Sequence, residues 1–333
     1  MPGWTLHRLS LLPTLILIGS VARADVAEVV QDHILPGYTA LADATAALSA
    51  SAQTDCTAEA LAPAFHATYD AWMAVSHLRM GPMEEDGMSL AFAYWPDPKG
   101  SGARAQRSLL ANPDKMLDAA AFSRVSVAAR GLAGLDRLLF ADPPLGADNP
   151  EAACTLIRLT AEDMNRMARS ILAGWTGGYD DVVLTAGEPG NTTYLSQTEA
   201  RQAMLTLLHA GLEFLIDERL GRPMGSFDKP APEKAEARDS GRSLRNVLLE
   251  LQALRRMTRA LDPEAVVTLA ALDKAVAQAE ALDDPIFDGV ATPSGRLKVE
   301  ILQQSVITAR DAVLSEIAPH LGVGLGFNAA DGD

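Results

Sequence analysis

No block of basic residues occurs in this 333-residue chain: 28 Lys and Arg stand against 43 Asp and Glu, giving a formal charge of −15. A surface that binds a phosphate backbone needs clustered cations to release counterions, so nucleic-acid binding is excluded. Long apolar runs are also absent from the body of the chain. The one candidate lies at the extreme N-terminus, and nothing after it can span a bilayer. Cysteines number only two, outside any CxxC arrangement, so they make neither a zinc site nor a dithiol redox motif. HExxH, GxSxG, GxGxxG and P-loop patterns are all missing, which removes the common signatures of hydrolases and nucleotide-binding proteins. What is there, 48% hydrophobic and 21% charged residues, is the composition of a globular protein whose length suggests two domains.

The N-terminus reads as an export signal. His7 and Arg8 precede an apolar run over 11–18, and Ala22-Arg23-Ala24 fits the small-x-small cleavage pattern, so the mature chain is expected to begin at Asp25. The run is about half the roughly twenty residues a membrane anchor needs. Residues 1–24 carry Arg8 and Arg23 and no acid, so their removal makes the charge two more negative. Export leads to an oxidising compartment, where Cys56 and Cys154 become candidates for one disulfide.

Apolar residues at three- and four-residue spacing predict eight helices, at about 26–51, 57–77, 123–140, 151–174, 196–220, 240–260, 264–282 and 294–317. Proline and glycine punctuate the breaks, and strand patterns are almost absent. Two stretches, about 79–112 and 175–195, read as non-helical or mixed; the second divides four helices from four and is the candidate domain boundary.

Chemistry-bearing residues are sparse. His66, Asp70 and His77 share one stripe of the helix predicted over 57–77, but two turns, about 10 Å, separate Asp70 from His77, too far for one metal ion without ligands from elsewhere. His209 and Glu213 are four apart, a spacing that brings side chains together and that surface pairs also show. The segment 72–100 concentrates Trp72, Arg79, the turn Gly81-Pro82, and Tyr94-Trp95-Pro96-Asp97. Adjacent large aromatics in a loop are expected to dock over the bundle rather than stay in solvent, either capping its end or lining a site. The Gly- and Asp-rich tail 322–333 lacks EF-hand spacing and reads as a docked tail.

Taken together, several segments resemble the imelysin-like family, exported helical bacterial proteins associated with iron acquisition. They are Ile34-Leu35-Pro36-Gly37-Tyr38, Trp72 with Leu78-Arg79-Met80-Gly81-Pro82, Trp95-Pro96-Asp97, Gly131-Leu132-Ala133-Gly134-Leu135-Asp136 with Leu138-Leu139-Phe140, and Leu321-Gly322-Val323 through Asp331-Gly332-Asp333. The resemblance implies an all-α fold of two four-helix bundles, here 25–180 and 190–333, a periplasmic location, and a site between the bundles. The family hallmark is GxHxxE, whose His and Glu share a helix face and can hold a metal ion. In this chain Gly131 keeps the glycine, Ala133 stands at the His position and Asp136 at the Glu position.

Three functions are in view: a periplasmic binding or accessory protein in iron or other metal uptake, which the acidic charge and the resemblance support, a metallopeptidase of the imelysin type, which the resemblance implies, or a partner-binding scaffold that uses the aromatic loop. The missing imidazole argues against the peptidase. The ligand pocket is expected around Asp136 and Gly131, with Arg79, Trp95 and Asp97 from the aromatic loop and His77 or Glu213 as further metal ligands; iron or zinc is the metal the resemblance suggests, and the partner a metal ion or an envelope uptake protein.

Overall fold

A computed structural model describes residues 25–325 apart from Leu117. The export signal and tail residues 326–333 lie outside the described residues. Among those described there is no strand, no candidate zinc-type cluster of three or more ligating side chains, and no helix long and apolar enough to cross a membrane. The fold is all-α, as the helical periodicity predicts.

The first helix, α1, runs over 26–54 and contains one π-helical turn, Val30–Ile34. Asp25 caps it, and Glu28 reaches back to the Asp25 amide at 2.9 Å, a reciprocal capping box. Then come α2 (Ala58–Met73), α3 (Ser101–Leu110), α4 (Gly131–Leu139) and α5 (Pro150–Gly174), the last continued by a π-turn, Trp175–Tyr179. The second half holds α6 (Gln197–Phe214), extended by a π-turn Leu215–Leu220, followed by α7 (Ser243–Leu261), α8 (Val266–Ala281) and α9 (Pro293–Ala312).

All eight predicted helices are present, with two differences of extent and, besides short helices at 88–92 and 180–184, one longer addition. The helix expected over 57–77 stops at Met73, and the chain then turns through 74–80; the one expected over 123–140 is α-helical only from Gly131. The addition is α3, inside the stretch read as mixed. The Asp97 carboxylate accepts the Ser101 and Gly102 amides at 2.8 and 2.7 Å, which satisfies two donors at that helix start.

Helices α1, α2, α4 and α5 pack on one another, as do α6 to α9, and the two sets meet where α2 and the first turns of α1 lie on α7. Their buried apolar residues form one continuous cluster. Cys56 and Cys154 are joined in a disulfide with Cα atoms 5.4 Å apart, tying the start of α2 to the first turn of α5.

Candidate functional site

The turn after α2, the segment 84–96 and the face of α6 enclose a cavity of about 1100 Å³. From the first half come Trp72, Ser76, His77, Arg79, Glu84, Tyr94 and Trp95; from α6 and its π-turn come Glu199, Glu213, Phe214, Asp217, Glu218 and Arg219; Glu236 and Glu250 close the floor. The cavity therefore sits at the seam between the two sets of helices. Aromatic packing frames it: Trp72 stacks on Phe92 with centroids 4.7 Å apart, and Trp95 meets the Phe214 ring edge-on at 6.0 Å.

The floor is a buried charge network. The Arg219 guanidinium donates to Glu236 at 2.8 Å and to Glu250 at 2.6 Å, while Asn246 donates to Glu236 at 3.0 Å. Arg219 also lies 4.7 Å from the Phe214 ring centroid. Burial pushes the Glu250 carboxyl up to about 7, although Arg219 pulls the other way. Arg219 lies within the π-turn Leu215–Leu220, whose extra residue per turn offsets it from the α-helical register of α6.

His77 forms part of the wall, and its Nε2 lies 3.0 Å from Nε2 of His33, which the π-turn of α1 presents. Burial depresses both imidazoles, His33 to about 4 and His77 well below the usual range, so both are neutral and one donates to the other. Arg79 is accessible to the cavity, and no carboxylate pairs with it among the described residues. Burial lowers its pKa, with Glu84 opposing.

Of the residues singled out in the sequence, Arg79, Trp95, His77 and Glu213 come together on this cavity, and three others do not. Asp97 caps α3 instead. Gly131 and Asp136 lie on α4 and are not among the residues lining the cavity, while the Trp95 ring meets Phe214 of α6. The segment 88–96 does fold back, and the main chain of Ala91 and Phe92 lies against the start of α4. Gly131 has φ +71°, and a Cβ there would lie 2.3 Å from the carbonyl oxygens of Ala91 and Phe92. Gly131→Ala combines a left-handed backbone with a clash against main chain, and is expected to cost about 3 kcal/mol or more, read from urea denaturation midpoints.

The stripe of His66, Asp70 and His77 is likewise no shared metal site. Asp70 accepts from Arg242 at 2.5 Å and from Arg245 Nε at 2.9 Å, the His66 ring pairs with Arg242 at 3.1 Å, and His77 lies beyond the helix end. His209 and Glu213 do meet, at 3.4 Å, and burial lowers the His209 pKa against the pull of that carboxylate.

Asp136 is only 6% exposed, and its Oδ1 accepts the Ser240 amide at 3.2 Å, a link between α4 and the loop before α7. Burial raises its pKa to about 7; the Ser240 hydrogen bond opposes this, and neighbouring Asp239 adds to it. A folded pKa above the unfolded one favours the protonated fold, so this contribution is fully present at acid pH and is lost as pH rises toward and through 7. Asp136→Asn keeps the shape and removes the titration. Relative to wild type, the variant is expected to gain about 2–3 kcal/mol between pH 5 and pH 8, measured by urea unfolding at both. An unchanged difference between the proteins would show that Asp136 is already ionised in the fold.

The donor set does not fit the metal of the family motif. Ala133 offers no ligand, Asp136 is buried on a backbone amide, and the described residues contain no group of three His, Cys, Asp or Glu side chains placed to hold an ion. The residues that sequence reasoning missed are Arg219, Glu236, Asn246 and Glu250.

Comparison with known proteins agrees with the fold. Iron-regulated protein A of Synechococcus elongatus is 22% identical over 318 residues, covering 87% of this chain and 84% of that protein. The crystal structure of an imelysin-like protein from Psychrobacter arcticum 273-4 superposes with a TM-score of 0.74 at 17% identity, covering 91% of this chain and 96% of that one. A protein described as an iron-regulated protein A precursor, from Parabacteroides distasonis ATCC 8503, gives a TM-score of 0.67 at 14% identity over 86% of this chain and 92% of its own. The family model for imelysin, peptidase M75, matches residues 34–313, and the chain accordingly belongs to the imelysin family.

Proposed function

We propose that this chain is an exported binding protein of the bacterial envelope that serves iron acquisition, and that its cargo is iron held in an organic, positively charged chelate rather than a bare ion. The observation that carries this reading is the cavity at the seam. Its volume of about 1100 Å³ is at the upper end of small-molecule sites, and Trp72, Tyr94, Trp95 and Phe214 supply aromatic faces. Beyond the two carboxylates that Arg219 neutralises and Glu218, which pairs with Arg222, the wall carries Glu84, Glu199, Glu213 and Asp217 against Arg79, a balance that favours a cationic guest. The relatives' names supply the association with iron, and one of them is named a precursor, in keeping with export. The lack of a fitting donor set among the described residues supports binding over metallopeptidase chemistry.

The test is a fluorescence titration of the mature protein, since Trp72 and Trp95 line the cavity. A cationic ferric trihydroxamate is expected to quench saturably. Ferric ion supplied on nitrilotriacetate is expected to bind at least tenfold more weakly. Asp217→Asn with Glu213→Gln should weaken the chelate and leave the fold intact. Equal affinity for both iron sources, or none for the chelate, would overturn the proposal.

A further inference from the structure

A second, smaller cavity lies on the other side of the segment 84–96. Its volume is about 340 Å³, and its wall brings together Arg124, Arg130 and Arg166 with Ser123, Ser170, Glu85 and Asp86. In a chain with 28 basic residues against 43 acidic ones, three guanidiniums from three separate elements around one small cavity run against the charge of the whole. Arg124 comes from the turn after 119–122, Arg130 immediately precedes α4, and Arg166 projects from α5.

Arg130 is the deepest of the three, at 4% exposure, and its Nη1 donates to Asp163 at 2.9 Å. Its Nε is buried and meets no acceptor among the described protein atoms. A buried guanidinium donor left without an acceptor costs desolvation that an anionic oxygen would recover. Asp163 is already shared, since its other oxygen takes Arg166 at 2.7 Å. The pair of arginines on that one carboxylate leaves a positive charge facing the cavity, and Arg124 adds another, with no ion pair of its own among the described residues. Glu85 and Asp86 are exposed and pair with none of the three within 4.0 Å, so the arginines remain available to a ligand.

We infer that this cavity binds a small oxyanion, a phosphate or a short carboxylate, through Arg124, Arg130 and Arg166. Bidentate guanidinium donors suit planar carboxylate and tetrahedral phosphate edges alike, and the volume admits a ligand of a few non-hydrogen atoms. The site is independent of the cargo cavity, although both are walled by the same segment: Glu85, Asp86 and Met88 face the small cavity, and Glu84, Leu90 and Trp95 the large one.

Calorimetric titration of the mature protein at low ionic strength, with inorganic phosphate and separately with succinate, tests the assignment. Saturable one-to-one binding of at least one of the two is expected. Arg124→Gln and Arg166→Gln, both at exposed positions, should each weaken it tenfold or more while thermal melts without ligand stay close to wild type. Arg107→Gln, which removes an exposed guanidinium on α3 outside this wall, should leave it unchanged. No saturable binding of either anion, or equal weakening by Arg107→Gln, would overturn the site. Binding of phosphate alone, or of succinate alone, fixes which oxyanion the arginines accept.

Discussion

Arg219→Met is expected to destabilise the protein by about 3–5 kcal/mol and to make its stability fall steeply as pH rises. Arg219, Glu236 and Glu250 are 4%, 3% and 1% exposed, so deleting the cation leaves two carboxylates buried together without a counter-charge. Burial already lifts Glu250 to about 7 with the arginine in place. Without it Glu250 should shift upward further, and a folded pKa above the unfolded one means stability retained in acid and lost through neutrality. Urea unfolding of the variant at pH 5 and pH 8 reads that slope. Adding Glu236→Gln and Glu250→Gln to Arg219→Met should flatten it and return most of the loss, because the cost lies in unpaired charge and not in lost contacts. A triple variant as unstable as the single one would assign the effect to packing against Phe214 and Met73.

The same network shows where the sequence was legible. Eight helices follow from apolar spacing because each buries one stripe, and the short α3 escapes because its start depends on Asp97 reaching across four residues to free amides. On α7 the buried stripe contains Val247, Leu251 and Leu254, and Asn246 and Glu250 share it. A glutamate in an apolar stripe is a visible signal for a buried partner, although nothing local names Arg219 as that partner. Arg219 itself is hidden by the π-turn, which shifts the helical register by one residue, so a period of 3.6 drawn through α6 misplaces every side chain from Leu215 onward. Asp136 illustrates the converse. Its place in a family pattern drew it toward the ligand site, whereas tertiary packing holds it on the Ser240 amide outside the cavity wall. His77, Arg79 and Trp95 converge for a reason no linear pattern contains: α2 stops at Met73, and the chain folds its next twenty residues over α6.

Loss of the Cys56–Cys154 bridge is expected to be as severe as any single change in the chain. The half-cystines are 98 residues apart in sequence, and the closed loop contains α2, α3, α4 and the segment 84–96 that walls both cavities. In the chain-entropy model a loop of that length removes conformational freedom from the unfolded state worth about 4.7 kcal/mol, an upper figure because residual unfolded structure reduces it. Cys56→Ser with Cys154→Ser should therefore lower unfolding free energy by roughly 3–5 kcal/mol, a large share of the 5–15 kcal/mol typical of a folded domain. The bridge joins the start of α2 to the first turn of α5, where the Arg158 side chain also donates to the Ala52 carbonyl at 3.0 Å, so the native helix ends stay close without it. The fold and the cavities should consequently survive at low temperature, with chelate affinity changed less than threefold while the urea midpoint drops. Equal urea midpoints for the oxidised protein and the double serine variant would show that the unfolded chain gains no freedom from the cut. A lost cavity at an unchanged midpoint would place the bridge's role in positioning the segment 84–96 instead.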